Sequence, residues 1–142
     1  MAQLSKFESR VAKLTCRPAD YYNFISDLRN FSQFIPDDIV KSWKADENFC
    51  SFSFSGLGEV TLKTTGKTPF TSVIFSGTVL LTIGFTLQSV ISKGEEGLTE
   101  VKLLMEADLN PMLKMFASGP VENFLETLVI EMEKFDNWNQ RK

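Results

Sequence analysis

The group that most often does chemistry in proteins is missing here: the chain has no histidine. That removes Ser-His-Asp and Cys-His catalysis, and with them the usual zinc ligand sets. Two cysteines, Cys16 and Cys50, cannot make a four-ligand thiolate site. They read as a reduced, cytoplasmic pair. Asp37 and Asp38 are adjacent but have no further oxygen ligands at fixed spacing, so turn and cap roles outweigh a metal site. Glu95 and Glu96 read as a solvated hairpin tip, and Asp108 as the cap of the following helix. Ser89 is left as the leading polar group on an otherwise apolar face. A buried hydroxyl of that kind usually bonds to nearby backbone. No acid–base pair, metal set or nucleophile emerges, so no cofactor is expected and binding outweighs catalysis.

The apolar residues say more. There are 13 Phe against 2 Tyr. Phenylalanine buries large area with no polar handle, which implies a dry aromatic interior. Phe52, Phe54, Phe75, Phe85, Phe116 and Phe124 are candidates to line a ligand cavity, joined by Leu87, Ser89, Leu103, Met105 and Leu128. The competing reading is that they simply fill a core.

The elements that must position them follow from periodicity. Residues 4–15 read as a first strand, and Pro18 and Asp20 suit the first turn of a helix. Tyr21, Phe24, Ile25 and Leu28 continue it at helical spacing, and Phe31, Phe34 and Ile35 predict a second short helical turn. Strands follow. Cys50, Phe52 and Phe54 alternate with serines, Val60 and Leu62 with polar residues. Phe85, Leu87, Ser89 and Ile91 share one face, and so do Val101, Leu103, Met105 and Ala107. A half-buried antiparallel sheet produces this pattern. Val121, Phe124, Leu125, Leu128, Met132 and Phe135 then mark one wide helical stripe. Gly119-Pro120 predicts a break, giving a short helix over 111–117 and a long one from 120 to about 137.

In an antiparallel meander, alternate connections lie at the same end of the sheet. One end collects Asp46-Glu47-Asn48, Gly66-Lys67-Thr68-Pro69 and Gly94-Glu95-Glu96-Gly97. The other collects Gly56-Leu57-Gly58, Val79-Leu80-Leu81 and Leu109-Asn110-Pro111-Met112. Loops usually lie in water and are polar. Leu57, Leu80, Leu81 and Met112, with Val79, therefore read as a pocket rim or as a homodimer interface.

The order of elements, with Pro18, Phe24, Asp27, Phe31, Phe34 and Pro36 in one frame, resembles the SRPBCC superfamily, also called START-like, Bet v 1-like or polyketide-cyclase-like. The segment Ala107-Asp108-Leu109-Asn110-Pro111, running into the last helix, resembles it too. The resemblance spans nearly the whole chain, and its motifs are structural. It implies an α+β helix-grip fold: a seven-stranded curved antiparallel sheet in the order β-α-α-β6-α, wrapped on a long C-terminal helix, with an apolar cavity between them. It transfers no single activity, because members bind lipids, sterols, quinones, polyketides, hormones or other proteins. The catalytic residues of aromatase/cyclase members have no counterpart here.

Bulk properties bound the rest. A chain of 142 residues suits one domain, residues 1–142. The net charge of −3 with interspersed signs leaves no basic stripe for nucleic acid. No apolar window reaches a membrane-spanning length, since the longest apolar-rich stretch, residues 73–85, carries Ser, Thr and Gly and reads as two strands and a turn, and the first residues lack an apolar signal core. The expected function is a cytoplasmic binding protein for an apolar, lipid-, quinone- or polyketide-like small molecule. An interaction module or homodimer is the first alternative, and an enzyme acting by confinement the second. The short helix over 111–117 is expected to be a lid hinged at 117–120, with Met112 and Met115 adapting to varied apolar shapes.

Overall fold

Ser9 ends the first strand early. In the computed structural model, which describes residues 4–36, 40–54, 56–79, 83–136 and 138, that strand is two: β1 (Leu4–Glu8) and β2 (Ala12–Lys13). Both pair with the same partner, β8 (Thr99–Asp108). Glu8 lies opposite Leu104 and Ala12 opposite Val101, so one side carries an extra residue. Such a bulge bends a strand. Ser9 holds it: its Oγ accepts from Leu103 N at 2.9 Å, and its N–H donates to Leu103 O at 2.9 Å. The sheet therefore has eight strands rather than seven.

Helix α1 (Pro18–Ile25) follows, with Pro18 and Asp20 in its first turn as expected. The second helical turn is a 3-10 helix, Leu28–Phe34. Its start is capped by Asp27, whose carboxylate accepts from Arg29 N at 3.0 Å. The six strands β3 (Val40–Ala45), β4 (Phe49–Phe54), β5 (Gly58–Thr68), β6 (Ser72–Val79), β7 (Ile83–Lys93) and β8 run as an antiparallel meander. The order across the sheet is β1-β8-β7-β6-β5-β4-β3, with β2 also on β8. The alternation of connections between two ends is thus as expected. Edge strand β3 slips register between Lys41 and Lys44, with Ser42 at φ 59°. A bulge on an edge discourages pairing with another chain.

The last element corrects the expectation. Residues Pro111–Lys134 form one helix, α2, with Pro120 inside it. The expected break at 119–120 is absent, and the helix ends at Lys134 rather than near 137. An interior proline costs about 3 kcal/mol in an isolated helix. Here tertiary contact offsets it. A methyl group added at Gly56 would lie 3.1 Å from Pro120 Cβ and Cγ, so the proline ring sits directly on the β4–β5 turn. The cap is corrected as well: Asn110 Oδ1 accepts from Leu113 N at 2.8 Å, while Asp108 ends β8 as an exposed residue.

The core lies between the inner sheet face and α2. The alternating strand residues expected to share a face are buried together, and Val121, Phe124, Leu125, Leu128 and Met132 of α2 meet them. The bulge in the first strand supplies a tie to α2. Arg10 donates twice to the Glu133 carboxylate, at 2.9 and 2.7 Å, and Glu133 also accepts from Lys13 N at 3.1 Å. Among the described residues, no helix is long and apolar enough to cross a membrane.

Candidate functional site

Strand alternation places Phe52 and Phe54 on β4, Phe75 on β6, Phe85, Leu87 and Ser89 on β7, and Leu103 and Met105 on β8, all facing inward and buried. Helical spacing on α2 brings Phe124 and Leu128 down onto them. The rings touch. Phe124 lies 5.0 Å from Phe54, edge to face, and 6.2 Å from Phe52, which stacks on Trp43 at 5.6 Å. A second aromatic group gathers where α1, the 3-10 helix and the end of α2 meet. There Phe24, Phe34, Phe135 and Trp138 lie within 6 Å of one another.

Three expected site residues lie elsewhere. Phe116 is 73% exposed on α2, so it does not line the interior. Leu57 is fully buried and belongs to the core rather than to a rim, as does Val79. Met112 is 68% exposed at the start of α2. Leu80 and Leu81, like Asp37 and Asp38, fall outside the described residues.

The interior is nearly free of ionisable groups. Its main polar contact joins Tyr21 of α1 to Ser89, hydroxyl to hydroxyl, at 2.7 Å, with Met132 Sδ at 3.8 Å from the phenol. Burial pushes the Tyr21 hydroxyl well above its ordinary value of 10.0, outweighing the opposing pull of Ser89, so it stays protonated. Burial likewise pushes the Cys16 thiol up to about 11 and the Cys50 thiol up to about 12. Neither is a nucleophile at neutral pH. One further hydroxyl stands out. Thr64 of β5 lies opposite inward-facing Phe75, and its Oγ1 is enclosed without a hydrogen-bond partner. On the outer face, an open groove of about 310 Å³ is lined by Lys6, Glu8, Thr86, Gln88 and Glu106 together with Phe7, Leu104 and Met105.

No known family profile matches the sequence, and no curated protein matches it. Solved structures do. Norcoclaurine synthase from Thalictrum flavum superposes with a TM-score of 0.71 at 9% identity, over 94% of this chain and 86% of that one. Protein Ms6760 from Mycobacterium smegmatis gives 0.71 at 8% identity, over 96% and 93%. Ara h 8.0201 gives 0.60 at 8% identity, over 94% and 100%. The fold is the Bet v 1-like helix grip.

Within this helix grip, sequence reasoning missed Tyr21 and Thr64. Tyr21 was legible as a helix-face residue, but its partner was not. The usable signal was scarcity: one of only 2 tyrosines in a phenylalanine-rich chain implies a use for the hydroxyl. Thr64 carried no such signal, since threonines on strands are ordinary. Among the described residues, no group of three or more Asp, Glu and Cys side chains is placed to hold a metal.

Proposed function

We propose that this protein binds an apolar small molecule between the sheet and α2, of a lipid-, quinone- or polyketide-like class. The observation that carries the reading is the unpartnered Thr64 hydroxyl on an inner face that is mostly apolar and whose Ser89 hydroxyl is already paired with Tyr21. An enclosed hydroxyl without a partner costs about 1–3 kcal/mol, and native structures hold few. A guest with one polar group and an apolar body would satisfy it while displacing nothing charged. Phe75, Leu87, Leu103, Met105 and Phe124 are the contacts such a guest would meet. Ser89 and Tyr21 would border it as a pair already satisfied by each other.

The helix-grip likeness supports binding as a general theme without naming the guest. An enzyme reading has one support: a related fold is a synthase by name, also solved as a point mutant with a transition state analogue. Among the described residues, the titratable groups of the interior are a protonated phenol and protonated thiols, which favours binding. The free, buried cysteines fit a reducing, cytoplasmic setting.

The test is extraction of natively purified protein into organic solvent, followed by mass spectrometry. A single class of apolar compound at near-stoichiometric amount is expected. Extracts indistinguishable from a buffer blank, from protein expressed in several hosts, would count against the reading.

A further inference from the structure

The start of α2 breaks a rule of surface composition. Met112, Met115 and Phe116 are 68%, 83% and 73% exposed, and they lie three and four residues apart, on one side of the helix. Lys114 is exposed as well. It stands on the core-facing stripe, one turn before buried Ala117 and two before buried Val121. Of these first turns only Leu113 packs against the core before Ala117, so the start of α2 is a tip held by one side chain, with its other apolar side chains in solvent.

Charge is sparse on the segments that form and flank the tip in sequence. Lys114 is the only charged residue between 109 and 121, and residues 69–92, which include β6, the connection after it and all of β7 except its last residue, Lys93, have no charged residue. A helix start ordinarily favours an acid, and this one has none in its first turn. The nearest acid following Phe116 on the helix is Glu122, roughly 9 Å farther along the axis at 1.5 Å per residue. Exposed Asp108, Glu59 and Lys41 stand at strand ends on this side of the sheet. Asp37 and Asp38 precede β3 and lie outside the described residues.

We infer that this tip docks on a lipid surface, with Met112, Met115 and Phe116 inserted among the acyl chains. Insertion of a helix to about 5–10 Å keeps Glu122 at headgroup level, in water. Lys114 has a long apolar stem and reaches back to the headgroups with its ammonium. A second copy of the chain fits less well. Three side chains at the tip expose on the order of a few hundred Å², against the roughly 800 Å² per partner that a stable dimer buries. The docking surface is independent of the interior: it holds whether or not the core contains a guest.

The test is co-sedimentation of the full chain with vesicles of phosphatidylcholine alone, and of phosphatidylcholine and phosphatidylglycerol in equal parts. The wild type is expected to pellet with both. Met115→Asp with Phe116→Asp should weaken binding at least ~10-fold, since the inserted area is lost. These side chains are exposed, so circular dichroism should show an unchanged fold. Lys114→Glu should weaken binding to the phosphatidylglycerol vesicles about fivefold, as one lysine near an anionic surface contributes, and spare the neutral ones. Three results overturn the inference: wild type that stays in the supernatant with both vesicles, a double variant that pellets like wild type, or a wild-type dimer by light scattering that the double variant makes monomeric without any vesicle binding.

Discussion

Tyr21 and Ser89, which are 68 residues apart in sequence, share a 2.7 Å hydrogen bond at the centre of the protein, and neither side chain reaches solvent. The bond ties α1 to β7 across the core. Ser89→Ala leaves the phenol with only the weak Met132 Sδ acceptor and should cost about 1–3 kcal/mol in urea unfolding. Tyr21→Phe leaves Ser89 unpaired at similar cost. The double variant should cost less than the sum, because neither orphan remains. Additive losses would mean that the two hydroxyls do not depend on each other.

Alkaline stability follows from the buried thiols and phenol. Their folded values are raised, so their contribution is complete below the unfolded values and is lost as pH rises towards the folded ones. For Cys16 the loss runs from 9.0 to about 11, and for Cys50 from 9.0 to about 12. Tyr21 joins from 10.0 upwards. Urea midpoints should thus fall from about pH 9. Replacing both cysteines by alanine should delay the fall to the tyrosine range. A fall that starts at the same pH in that variant would contradict the assignment to the thiols.

Gly77 permits β5 and β6 to approach closely. A methyl group there would sit 1.7 Å from Thr61 O and 3.2 Å from Phe85 Cζ. Gly77→Ala must therefore push β5 from β6 at a paired position, where Leu62 faces Gly77. A loss of about 3 kcal/mol or more is expected. The comparison is Gly119→Ala, which meets nothing within 4 Å and should be neutral or stabilising. Equal effects in thermal melts would show that the strands are not this close.

The meander, the two ends of the sheet and the inward alternation on β4, β7 and β8 were legible because a period of two leaves a clear trace in the residues. The helix grip was legible because one stripe from Val121 to Met132 is too wide for anything but a core-facing helix. What misled was local. Gly119-Pro120 carries a strong break signal, but the Pro120 ring rests on Gly56, which is 64 residues away in sequence, and such a contact leaves no mark near the proline. Phe116 was assigned inward by its type alone. Its true place depends on where the sheet ends beneath α2, which periodicity does not encode. The bulge at Ser9 was hidden for a similar reason, since its hydrogen bonds are to Leu103.

Thr64 separates stability from binding. Thr64→Val removes an unpartnered hydroxyl and keeps the shape, so the empty protein should gain about 1 kcal/mol or stay unchanged. Affinity for an apolar guest with a polar head should drop about tenfold, as one hydrogen bond is worth. A destabilised empty protein would show that the hydroxyl has a partner in the chain.

The chain reports on its own interior through methionine. Met105 and Met132 are buried between sheet and α2, whereas Met112 and Met115 are exposed at the tip. With methyl-labelled methionine, titration by a long-chain fatty acid, a quinone and an aromatic polyketide can be followed by nuclear magnetic resonance. The account predicts saturable shifts at Met105 and Met132 for at least one of these classes. Shifts confined to Met112 and Met115, or none at all, would contradict a ligand-binding interior.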